Sequence, residues 1–150
     1  MSRAAVLALS LVASCATSED PPAIAALPTT PTSCESPSGG EVNGRLVVDG
    51  VELTFGDQLV FDHHPAGSDN PAGFSLEGGA PGTLVIWMPN VRSSMPPVGE
   101  YAAWTIQVTD VASSRDTRVI VDESDWPTCF AGRFEAIMEA GVLAGRFHGP

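Results

Sequence analysis

The chain has 150 residues, enough for one domain and too few for two comfortable ones. Only 17% of residues are charged, 18 acids stand against 7 bases, every base is arginine, and the formal net charge is -11. That balance excludes non-specific nucleic-acid binding, which needs a cationic surface to displace counterions, and adsorption to anionic lipid through a basic patch.

Met1-Ser2-Arg3 is a short positive start, and Ala4 to Val12 is a nine-residue apolar stretch. A charged head, an apolar middle and small residues at the exit describe a secretory signal peptide. Coiled as a helix the apolar stretch reaches only about 14 Å, roughly half a bilayer core, so it is no membrane span. Ordinary signal-peptidase cleavage near Ser14 or Ala16 is one outcome. Yet Val12-Ala13-Ser14-Cys15, an aliphatic residue, two small ones and a cysteine, resembles the lipobox of bacterial lipoproteins at all four places. The resemblance implies a signal peptide over 1–14, a diacylglyceryl thioether on Cys15, cleavage before it, and acylation of the new amino terminus. Several acyl chains on one residue meet the requirement that stable anchoring takes more than one tail. Ala16 in place of aspartate after the cysteine implies the outer rather than the inner membrane where a cell has two. The covalent lipid is then the one prosthetic group expected. The membrane is one partner, and an envelope protein or glycan the other. Setting Cys15 aside leaves Cys34 and Cys129, an even pair suited to one disulfide in an exported chain.

Residues 15–40 read as a lipidated tether. Pro21, Pro22, Pro28, Pro31 and Pro37 alternate with serine and threonine, and little beyond Ile24 and Leu27 is apolar. Such a segment does not repay the entropy of ordering. At about 3.1 Å per residue, Cys15 to Cys34 would hold a domain up to about 60 Å from the membrane. The folded part is expected over 41–150.

There the hydrophobic period is two. Asp49-Gly50 is a favoured type I′ hairpin dipeptide, and centring the turn on it pairs Val48 with Val51, Leu46 with Leu53, and Gly44 with Phe55. All six share one face, and Val47 opposite Glu52 and Arg45 opposite Thr54 share the other. Further on, Gln58 to Phe61, Gly73 to Leu76, Thr83 to Met88, Gly99 to Thr109 and Thr117 to Val121 read as strands. Ala131-Gly132-Arg133-Phe134 is echoed by Ala144-Gly145-Arg146-Phe147. A hairpin turning at Ala140-Gly141 would set Phe134 opposite Phe147, Ala136 opposite Gly145, Met138 opposite Leu143, and Glu135 against Arg146. A short helix over 134–140 is the competitor, on propensity alone. Many short strands with turn signals between them predict an antiparallel β-sandwich or small barrel. The two Gly-Arg-Phe strands resemble those of small secreted or lipid-anchored bacterial β-domains, a likeness that implies no activity. A Cys34–Cys129 bond would close a loop of about 96 residues, worth up to about 4.7 kcal/mol in loop-closure entropy.

Chemistry-bearing patterns are few. Asp62-His63-His64-Pro65 offers metal-ligand types, and His148 could add a third imidazole. In an extended segment, however, His63 and His64 point to opposite faces. The spacing matches no established metal motif, so the stretch reads first as a polar loop after a strand. Asp122, Glu123 and Asp125, with Asp57, Asp62 and Asp69, are loop acids without a calcium-binding frame. Ser94, Ser113 and Ser114 sit in no nucleophile motif. Trp87 and Trp104 read as core, and Trp126, between Asp125 and Pro127, as an exposed binding aromatic. The stretch from Met88 to Pro97 is either a functional loop or a crossover. The function expected is therefore a lipid-anchored envelope β-domain with a non-catalytic binding or structural role and no catalytic residue. A small-ligand-binding β-barrel and a metal-dependent or carboxylate hydrolase are the alternatives.

Overall fold

The computed structural model describes residues 25–55, 58–67, 72–78, 83–88, 95–103, 105–108, 112–114 and 116–150. Cys15 with its lipobox, Trp104, Asp57, Asp69 and Ser94 lie outside them. Among the described residues eleven strands follow in chain order: β1 Gly39–Val48, β2 Val51–Thr54, β3 Val60–His64, β4 Gly73–Glu77, β5 Leu84–Trp87, β6 Gly99–Tyr101, β7 Thr105–Val108, β8 Ala112–Ser114, β9 Asp116–Asp125, β10 Cys129–Met138 and β11 Gly141–Gly149. They form sheet A, in the order β2-β1-β11-β10-β9-β6, and sheet B, in the order β3-β4-β5-β7-β8. Every pairing is antiparallel. The architecture is all-β, two sheets packed as a β-sandwich, and the described residues contain no helix.

The first hairpin forms in the register its turn specifies, with Val48 opposite Val51, Leu46 opposite Leu53 and Arg45 opposite Thr54. Asp49 and Gly50 take φ of 51° and 76°, the two positive values a type I′ turn needs. The ladder ends at Arg45–Thr54, one step short of the expected Gly44–Phe55 pair.

The last hairpin corrects the sequence expectation by two residues. Met138 pairs with Gly141, Ala136 with Leu143, Phe134 with Gly145, and Gly132 with Phe147. A shift of two leaves every side chain on its expected face, so the burial pattern alone could not choose between the registers. Sterics choose. A Cβ on Gly132 would sit 2.6 Å from Phe147 Cζ, and one on Gly145 would sit 2.9 Å from Phe134 Cε1. Each ring of the repeated motif thus lies over the glycine of the other copy. The expected Glu135–Arg146 pair is replaced: Arg146 faces Glu41 at 3.3 Å, and Arg133 turns to Asp122.

One other expectation is corrected. Gly99 to Thr109 is not one strand. Its first part joins β9 in sheet A, and its second joins β5 in sheet B. Glu100–Arg118 and Tyr101 Oη–Pro97 O hydrogen bonds hold the first part, while Ile106 and Val108 enter the core from the second. Residues 89–94 of the Met88–Pro97 stretch lie outside the described residues; the strands on either side of it, β5 and β6, belong to sheet B and sheet A.

The core lies between the sheets. Phe74, Phe130, Phe134 and Phe147 are fully buried, with Leu46, Leu76, Ile86, Ile106 and Leu143 around them. Phe74 packs 4.4 Å from Phe147, which stacks 5.2 Å from Phe130. At one corner the sheets meet, where Gly40 and Leu59 exchange backbone hydrogen bonds of 2.8 and 2.9 Å.

Candidate functional site

Part of the segment read as a tether is fastened to sheet A. Ala25 lies against Gly44. Arg133 Nη1 donates to Pro28 O at 2.7 Å and Thr29 O at 3.1 Å, and its Nε and Nη2 clasp Asp122 at 2.9 and 2.8 Å. Asp122 also accepts from the Thr32 backbone N–H at 2.9 Å, and Glu123 from that of Cys34 at 2.7 Å. A β-bulge places Asp122 there: Ala131 pairs with Glu123 and Gly132 with Val121, so Asp122 is the extra residue, and bulges re-aim side chains. Beyond it, Cys34 and Cys129 are disulfide-bonded, with Cα atoms 5.9 Å apart. We call residues 25–38 the strap.

Where the strap turns into β1, it forms one wall of an open groove of about 590 Å³. Thr32, Pro37 and Glu41 line this side, and Leu59, Phe61, Phe147, Arg146 and His148 line the rest. Four buried side-chain polar atoms among the described residues lack a hydrogen bond, and three belong to this lining: Thr32 Oγ1, Arg146 Nε and His148 Nδ1. Arg146 Nε is 3.3 Å from Glu41 Oε1, close enough for an ion pair, but its N–H does not point along that line. Thr32 is only 6% exposed. Buried polar atoms normally find partners, so three orphans along one groove mark a place shaped for polar contact. Thr32 and Arg146 carry no local sequence signal, because only the fold brings them to one groove from positions more than a hundred apart.

The expected metal ligands separate. Asp62 and His64 lie not in a loop but on β3, and their ligand atoms gather with Glu77 of β4, all within 4.8 Å of one another. Glu77, thirteen positions beyond His64, carries no local sequence signal for a ligand role. His63 points the other way, its ring 4.4 Å from Trp126, with Nε2 buried and unpartnered. Burial, reinforced by nearby His64 and only partly opposed by Asp62, holds the His63 imidazole below the usual range. His148 stays in the groove. Trp126, expected to be exposed, is half-buried against the core and meets Phe130 edge-on at 6.4 Å. Trp87, expected in the core, stands half-buried on the outer face of sheet B, 5.7 Å from His64, while its neighbours Ile86 and Met88 are fully buried.

Asp122, Glu123 and Asp125 are strand residues of β9, the first two occupied with the strap. Ser113 is exposed on β8, and Ser114 is buried, its hydroxyl bonded to Ile137 O. Cys34, Glu123 and Cys129 also cluster, but the sulfurs are spent in the disulfide. No protein-family model, no curated protein and no solved structure matches the chain.

Proposed function

We propose that the protein is an exported, lipid-anchored β-sandwich of the bacterial cell envelope, held by Cys15, and that it is a non-catalytic binding module for a small carboxylate-bearing ligand. The observation that carries the binding role is that Thr32, Arg146 and His148 line one groove and each holds a buried polar atom without a hydrogen bond. A hydroxyl and a guanidinium N–H donate to a carboxylate, and an imidazole can do so in the right tautomer. Leu59, Phe61 and Phe147 give the ligand's apolar body a wall.

Export is supported by the lipobox match and by the Cys34–Cys129 disulfide, since disulfides persist in oxidising compartments. The strap sharpens the geometry of anchoring. Ala25 is ten positions beyond Cys15, so full extension keeps the domain within about 35 Å of the lipid, against the 60 Å expected of a free segment.

Two experiments test the reading. Cys15→Ser should abolish fatty-acid labelling and release the protein from membranes; persistent labelling would refute the anchor. Millimolar benzoate should raise the melting temperature of the full chain, and Thr32→Val and Arg146→Gln should each remove most of that rise. No rise in the parent protein, or an equal rise in both variants, would refute the groove as the binding site.

A further inference from the structure

We propose that Asp62, His64 and Glu77 form a binding site for one divalent transition-metal ion of the zinc class, on the outer face of sheet B and separate from the groove. The antiparallel ladder β3–β4 sets Asp62 opposite Ser75, His64 opposite Gly73 and Glu77 opposite Val60, so the three side chains share one face and converge over Ser75. Their ligand atoms lie within 4.8 Å of one another. Donors about 2.0–2.2 Å from a tetrahedral ion stand about 3.4 Å apart, so small rotations of surface side chains close the site without moving the backbone.

Three features lie around this cluster. Ser75 is fully buried beneath it, and its hydroxyl donates to Glu77 Oε1 at 3.1 Å, which orients the carboxylate. The Trp87 ring covers Gly73, where a Cβ would sit 2.7 Å from Trp87 Cε3, and it abuts His64, restricting the imidazole. The two carboxylates also have no counter-charge among the described residues. Arg45, Arg118 and Arg133 are each hydrogen-bonded to another acid, Glu52, Glu100 and Asp122 respectively, and Arg146 lies 3.3 Å from Glu41. Two adjacent anions beside an imidazole, with no arginine among the described residues to answer them, favour a cation at their centre. One nitrogen and two oxygen donors select zinc-like ions over calcium and magnesium, which take oxygen ligands. Three protein ligands leave a fourth position for water.

The test is titration of the full chain with zinc chloride in a non-chelating buffer, followed by calorimetry and thermal melting, with calcium chloride in parallel. One ion per chain is expected, with a rise in melting temperature on the order of 5–10 °C at about a hundredfold excess over Kd. His64→Ala, Asp62→Asn and Glu77→Gln should each weaken zinc binding at least tenfold. His63→Phe and His148→Gln should leave it unchanged. Without metal, Asp62→Asn should melt at or above the parent temperature, because it relieves carboxylate repulsion; this separates a lost ligand from a damaged fold. Absence of zinc binding at millimolar concentration, binding retained in all three ligand variants, loss in His63→Phe, or tighter binding of calcium than of zinc would each overturn the assignment.

Discussion

Gly132 occupies a place where a methyl group has no room: a Cβ there would meet Ile120 O and come within 2.6 Å of Phe147 Cζ. Gly132→Ala should therefore cost about 1–3 kcal/mol in urea unfolding, through overpacking against a backbone that cannot retreat. Thr32→Val is expected to act in the opposite direction. It replaces a buried, unpartnered hydroxyl by a methyl of nearly the same shape, and should stabilise the ligand-free protein by about 1 kcal/mol. His63 supplies a pH dependence. Its folded imidazole resists protonation because it is buried against Trp126, whereas the unfolded one protonates near 6.5. Below that pH the unfolded chain binds more protons, so acidification favours unfolding. Above it both states hold a neutral ring and the effect vanishes. His63→Phe keeps the ring contact and should flatten the fall in stability as pH drops from 6.5 in chemical-denaturation series.

Among the elements, β9, β10 and the strap depend on one another. The bulge at Asp122 aims a carboxylate at Arg133, and Arg133 carries the strap's Pro28 and Thr29 carbonyls. The side chains of this pair are only 12% and 7% exposed. Asp122→Ala leaves a shielded guanidinium without its anion, for which about 3 kcal/mol of lost stability is expected. It should also free the strap, seen as faster proteolysis ahead of Cys34. The paired Gly-Arg-Phe motifs were legible as strands, and their faces were read correctly. Their register was not, because slips by two residues conserve the hydrophobic pattern and differ only in which ring meets which glycine. The division of 99–108 between two sheets was equally hidden. Alternation reports that a residue faces inward, and it is silent on which sheet it faces from.

The whole molecule is a sandwich whose amino-terminal strap is locked to its longest hairpin by a bond spanning 95 positions. Loop-closure entropy for that span gives up to about 4.7 kcal/mol, so a Cys34→Ser, Cys129→Ser protein should lose about 2–5 kcal/mol in guanidinium unfolding. The parent protein treated with reductant should match it. Both outcomes belong to this scale, since the bond acts mainly on the unfolded chain and hardly on any local contact.

The amino-acid sequence by itself determined the period-two strands, the Asp49-Gly50 turn, the parity of the cysteines and the lipobox resemblance. All of these are local patterns or counts, set by side-chain alternation and short-range φ preferences. Only the tertiary structure decided that half of the apparent tether is a strap, and that Thr32, Arg146 and His148 line one groove. It also decided that Glu77, rather than His63 or His148, joins Asp62 and His64. Each of those juxtapositions rests on a register or a crossover between distant strands. There the free energy is decided by which surfaces fit together, a property no window along the chain contains.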